Sequence, residues 1–206
     1  YTPFGHSDWQ TIVSNIKAFG SKGKKTAVVS TINGDANVPF YKELGNQGIS
    51  AEDIPVIAFS VGEEELSGID TAPLVGHLAA WNYFMSAESK DNDAFIDNWQ
   101  KYIKSDERVT NDPMEATYIG FNMWAKAVEK ANSVDVDTVR EAMYGVTVPN
   151  LTGGIAVMNT NHHLSKPVLI GEIQDDGQFE IVWQTKGEVT GDAWTNYLPE
   201  SKWVVS

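Results

Sequence analysis

Apolar positions along the chain fall into two rhythms. Trp9, Ile12, Val13, Ile16 and Phe19 recur at helical spacing, with Ser7 placed to cap that helix and Gly20 to end it. Thr26–Ser30 (TAVVS) and Pro55–Ser60 (PVIAFS) are short apolar runs that predict buried strands, and His77–Phe84 (HLAAWNYF) predicts a third. Between the first two, Asn33-Gly34-Asp35 reads as a turn into a helix over about residues 36–44, with Pro39 near its first turn. Ser60 and Glu63 stand at capping-box spacing for a short helix over Glu63–Leu66. Strands alternating with helices predict a parallel α/β sheet with crossover connections. Because a crossover helix needs a strand before it, the opening helix leads to the expectation of a strand upstream of Tyr1.

Past Phe84 the rhythm changes. Phe95, Ile96, Trp99 and Ile103 stripe a helix over Asp91–Ile103. Asp112-Pro113 predicts the cap and first position of another that runs to about Ala131, and Asp137–Tyr144 predicts a third. Strand-like runs follow at Gly154–Met158, Pro167–Ile173 and Phe179–Gln184. Asp175-Asp176-Gly177 predicts a hairpin turn between the last two, and the tail from Thr185 reads as coil. Helices without intervening strands need another surface to pack on, which again suggests further sequence.

Composition narrows the function. Fifteen Lys and Arg against twenty-eight Asp and Glu give a net charge of −13, which argues against nucleic-acid binding and against docking on an anionic membrane. There is no cysteine, which excludes disulfides, thiolate metal sites and Cys nucleophiles. No apolar run approaches the roughly 20 residues of a membrane span.

Enzyme chemistry finds little support. Glu63-Glu64-Glu65 could supply paired carboxylates, but acids in a first helical turn also complement the helix dipole and face water, and that reading is preferred. His162-His163 point to opposite sides of an extended chain, too far from His6 and His77 in sequence for an obvious metal set. Neither a Gly-x-Ser-x-Gly elbow nor a phosphate-binding Gly-x-x-x-x-Gly-Lys loop occurs. In parallel α/β sheets ligands sit beyond the carboxyl ends of the strands. The exits here carry Asn33-Gly34-Asp35, Ser60 and Trp81-Asn82-Tyr83; each has a structural explanation alone, and their expected convergence on one edge points to binding.

The runs STINGDANVPFYKELGNQGI, IPVIAFSVGEEEL, GHLAAWNYF, DPMEATYIG and NHHLSKPVLIGEIQDDGQFEIVW resemble the urea and short-chain amide receptors of ABC transporters, within the branched-chain amino-acid-binding type of periplasmic binding proteins. The resemblance covers essentially the whole chain and corresponds to the C-terminal half of such a receptor. It implies a type I periplasmic-binding-protein fold in which residues 1–84 form most of the second lobe. Residues 85–164 would return to the first lobe, mainly as helices, and residues 165–206 would cross back. It implies ligand contacts from Asn33, Asp35 and Ser60, hinge-side walls from Trp81 and Tyr83, and a role for Glu115 as ligand contact or hinge anchor. It further implies an extracytoplasmic, periplasmic location, with any membrane anchor in the N-terminal part not present here. The expected partners are urea or a short amide and a membrane permease, with no cofactor, metal, nucleic acid or catalysis. An amide-sensing regulator on the same fold is the alternative, and an amide-processing enzyme using Glu63–Glu65 a more distant one.

Overall fold

A computed structural model describes residues 1–195, 197 and 198. The part of the expected C-terminal coil beyond these lies outside the described residues.

The first helix, α1 (Gln10–Gly20), begins one residue after Trp9. Ser7 does not cap it. Trp9 is buried edge-on against Phe40, with ring centroids 5.0 Å apart, and its indole N–H donates to His6 O at 3.1 Å. Burial of that large ring sets the start of the helix. Gly20, its last residue, lies so close to Ile54 that a Cβ there would stand 2.3 Å from Cδ1.

The strands β1 (Val28–Ser30), β2 (Val56–Ala58) and β3 (Leu78–Trp81) are parallel, with Val29 opposite Ile57 and Ile57 opposite Leu78. The connection from β1 to β2 runs through α2 (Asn37–Asn46), and that from β2 to β3 through α3 (Glu63–Leu66). The sheet does not stay parallel. Strands β7 (Leu169–Ile173) and β8 (Phe179–Gln184) join antiparallel, Trp81 pairing with Leu169, to give the order β1-β2-β3-β7-β8. Their hairpin turns where predicted, with Gly177 at φ +78°. The core beneath this sheet holds Val13, Phe40, Tyr41, Leu44, Val56, Leu66 and Phe179.

Between β3 and β7 the chain builds a second unit. Helices α4 (Lys90–Ile103), α5 (Asp112–Ala131) and α6 (Val136–Ala142) are followed by a small antiparallel sheet of β4 (Thr147–Pro149), β5 (Ile155–Met158) and β6 (Leu164–Ser165). Of these strands only β5 was expected. Helix α5 packs Ile119, Met123 and Ala127 against Val148, Ala156 and Met158, so this unit has its own core. The cap of α5 is Asn111, whose side chain accepts from Met114 N at 3.2 Å, and not Asp112. That displacement by one residue leaves the Asp112 carboxylate available elsewhere. Two segments join the units, residues 82–89 outward and residues 166–168 on the return. Among the described residues no helix is long and apolar enough to cross a membrane.

Candidate functional site

The carboxyl ends of β1, β2 and β3 lie side by side, and the loops that leave them are tied to one another. After Ser30 the chain runs extended to Asn33, then makes one 3-10 turn over Gly34–Ala36. Gly34 takes φ +63°, a left-handed conformation that glycine adopts without strain. This turn leaves the side chains of Asn33 and Asp35 exposed.

Asn37, fully buried at the first position of α2, secures the loop. Its Nδ2 donates toward Ile32 O at 2.9 Å, Gly34 O at 3.2 Å and Ser60 O at 3.1 Å. One amide thus serves the exits of both β1 and β2. Ser60 adds a second tie, its hydroxyl donating to Ile32 O, and so orders the loop instead of capping α3. Trp81, half-buried at the end of β3, donates its indole N–H to Val61 O at 2.5 Å. Asn33, Asp35 and Ser60, on the loops, and Trp81, at the end of β3, therefore lie along one edge tied together by hydrogen bonds.

Two other expected contacts lie deeper. Tyr83 has no exposed surface; its hydroxyl is 2.7 Å from both Asn92 Oδ1 and Thr110 Oγ1, and its ring packs with Phe95. It is a structural residue of the junction and not a wall open to solute. Glu115 is likewise fully buried and is paired with Lys166 Nζ.

The acids at this edge behave unequally. Glu63 was expected to face water, yet it is buried and accepts from Met85 N at 2.6 Å. Burial drives its carboxyl up to about 8; the Met85 N–H and its own backbone N–H oppose this, while nearby Glu65 and Asp112 add to it. Glu115 is pushed up to about 7, chiefly by burial, against the pull of Lys166. Asp112 is raised by burial too, opposed by Lys166 and by the N–H groups of Asn82 and Tyr83. Glu65 is raised by burial, with Glu64 and Asp35 as like-charged neighbours, although it accepts from Gly62 N at 2.8 Å.

Chemically the edge is rich in acceptors. Arg108 and Lys166, the cations tied into this region, are each already paired, with Glu64 at 3.3 Å and with Glu115. A cavity of about 550 Å³ runs along the open side of β1 between Trp9, Ile12, Val28 and Phe40, and meets the edge at Ile32 and Asn33. His162 and His163 are exposed, the former 3.2 Å from Tyr144 Oη, and no set of three potential metal ligands occurs among the described residues.

Sequence reasoning missed Asn37, Lys166 and the burial of Glu63. A helical residue such as Asn37 carries no motif. Glu63 does carry a signal, since it lies three positions before Leu66 and shares its buried face.

A family model described as periplasmic binding protein domain matches residues 1–200. Among solved structures, a solute-binding protein of an ABC transporter from Rhodopseudomonas palustris HaA2, in complex with p-hydroxybenzoic acid, aligns with a TM-score of 0.76 at 21% identity. The alignment covers 91% of this chain and 51% of that one. An amino acid ABC transporter substrate-binding protein from Pseudomonas fluorescens Pf-5 gives 0.74 at 19% identity, over 93% and 51%. The leucine-, isoleucine-, valine-, threonine- and alanine-binding protein from Brucella ovis, in its closed conformation, gives 0.68 at 14%, over 89% and 48%. At these identities the likeness is one of fold. The chain spans about half the length of each. A curated protein named limonene hydroxylase, from Geobacillus stearothermophilus, is 34% identical over 111 residues, which is 54% of this chain but 20% of that protein; so short a share carries no activity across.

Proposed function

Since the chain belongs to the periplasmic binding protein domain family, with the type I α/β fold, we propose that it forms one jaw of an extracytoplasmic receptor that hands urea or a short amide to an ABC importer. Two lobes closing on a hinge would grip the solute. The observation that carries this reading is the character of the edge: acceptors in excess, and its cations already paired. Urea is planar and uncharged, with four N–H bonds seeking acceptors. The exposed Asp35 carboxylate, the exposed Asn33 amide oxygen and the ring of Trp81 suit it. A benzoate would bring a carboxylate toward Asp35, where Arg108 and Lys166 are already committed to Glu64 and Glu115.

Size limits the affinity. Urea has four heavy atoms, so at about 1.5 kcal/mol per atom the ceiling is near 6 kcal/mol. That corresponds to a Kd of roughly tens of micromolar, and only with both jaws closed.

Calorimetry of the complete two-lobed receptor with urea, acetamide, formamide, 4-hydroxybenzoate and leucine tests the proposal. Tightest binding is expected among the amides, weakened about tenfold or more in Asp35→Asn, which replaces an acceptor with a donor. Preference for leucine or 4-hydroxybenzoate would overturn the amide assignment.

A further inference from the structure

The loop that leaves β2 is bonded in three directions within four residues. Ser60 reaches the exit of β1 through Ile32 O and Asn37; Val61 O accepts from Trp81 at the end of β3; and Glu63 accepts from Met85 N in the outward segment between the two units. That segment is held from the opposite side as well. Asp112, on α5 of the helical unit, accepts from Asn82 N at 2.9 Å. Two backbone N–H groups of one crossing, three residues apart, are thus divided between acids from opposite units.

Glu63 is the member of this arrangement that belongs to the sheet unit. It is 1% exposed, and its second oxygen, Oε2, has no hydrogen-bond partner. A helix-capping acid needs neither property. We propose that Glu63 is a positioning residue that ties the β2 exit loop to the crossing at Met85, so that the loop carrying Ser60 also fixes the path of the connection between the units. The inference rests on reading that loop as solute-facing, but the tether itself does not depend on which solute binds.

Protonation follows from the surroundings. The titratable groups around Glu63 are Glu65 on its own helix, Asp112 on α5 and Tyr83 in the crossing; Lys166 is spent on Glu115. No cation neutralises Glu63, and the neutral carboxyl is the form that suits its dry setting. Met85 N–H needs only an acceptor, which a neutral carboxyl or a carboxamide supplies. Ionisation, in contrast, would draw water into the junction and loosen the crossing.

Hydrogen exchange at single-residue resolution tests this, read as protection factors so that the intrinsic pH dependence of exchange cancels. At pH 6.5, Glu63→Gln should keep Met85 N–H as protected as in the parent, whereas Glu63→Leu should lower protection there about tenfold or more. The amide of Val56, bonded at 3.1 Å to buried His77 within the sheet unit, should stay unchanged in both and separates a local effect from global loosening. Between pH 6.5 and 9 protection at Met85 should fall more in the parent than in Glu63→Gln, which keeps only the titration of Glu115 and Asp112. Should Glu63→Leu fail to fold, the comparison of parent with Glu63→Gln across pH decides alone. Loss of Met85 protection in Glu63→Gln at pH 6.5, or an equal response of both proteins to pH, overturns the proposal. Neither readout needs a ligand, so a failed amide assignment leaves it standing.

Discussion

Lys166 on the returning segment pairs its ammonium with Glu115 on α5, and both side chains are buried. The return path between the units is thereby pinned to the helical unit by charge, while the outward path is pinned through Asp112. Removing one member of such a pair leaves the other charge uncompensated. Lys166→Met should cost about 3–5 kcal/mol of stability, and the double substitution Lys166→Met with Glu115→Gln should recover most of it. Denaturant melts of the parent, the two single variants and the double variant measure this directly; simple additivity of the two single changes would contradict the pairing.

Acidity should stabilise the fold over an unusual range. Glu63 and Glu115 are held up to about 8 and about 7 in the folded protein, whereas an unfolded glutamate titrates at about 4.3. Between those values the folded state holds protons that the unfolded state has released. Their contribution is full below about pH 4.3 and is lost as pH rises through 7 and 8, by up to about 1.4 kcal/mol per pH unit for each group. The raised Asp112 acts in the same sense. Thermal unfolding at intervals from pH 5 to 9 should show Tm falling with pH, less steeply in Glu63→Gln. A flat profile in the parent would count against the burial of these carboxyls.

Gly171 in β7 lies under the stacked rings of Phe84 and Phe179, whose centroids are 4.6 Å apart. A Cβ at Gly171 would stand 2.7 Å from Phe84 Cζ and 3.0 Å from Phe179 Cβ. Gly171→Ala should therefore destabilise by about 1–3 kcal/mol through overpacking. Phe84→Leu in the same chain should relieve part of that cost. Chemical melts of the pair check both signs.

Asn37→Asp removes both amide hydrogens and turns a carboxylate toward the carbonyls of Ile32, Gly34 and Ser60. A loss of about 2 kcal/mol or more is expected, since buried acceptors lose their donor and gain a repulsive neighbour. Exchange should accelerate most at amides of residues 32–36 and 60–62. Uniform acceleration throughout the sheet unit would mean that Asn37 supports the fold generally and not the two exits.

Much of this architecture was legible because the relevant signals are local. Helix α5 announces itself through a proline in its first turn and a long apolar stripe, and the β7–β8 hairpin through Asp-Asp-Gly. Strands β4 and β6 were not, for they span three and two residues and contain a proline and a serine; only pairing with β5 makes them strands. The start of α1 was misplaced because a tertiary contact, Trp9 on Phe40, overrides the capping preference of Ser7. For the candidate site, turn residues such as Gly34 and Asp35 could be picked out along the chain. The partners that organise them could not. Glu63 resembles any acid in a first helical turn until Met85, twenty-two positions on, arrives to bond it.

The pairing of Trp81 with Leu169 also bears on how the chain is made. Strand β3 acquires its second neighbour about 90 residues after it is synthesised, once the whole helical unit has emerged. At translation rates of about 5–20 residues per second the nascent sheet waits several seconds with β3 as a bare border. Such a border invites adventitious strand pairing. Slow or interrupted synthesis within residues 90–165 should thus be the point at which this protein is most exposed to aggregation.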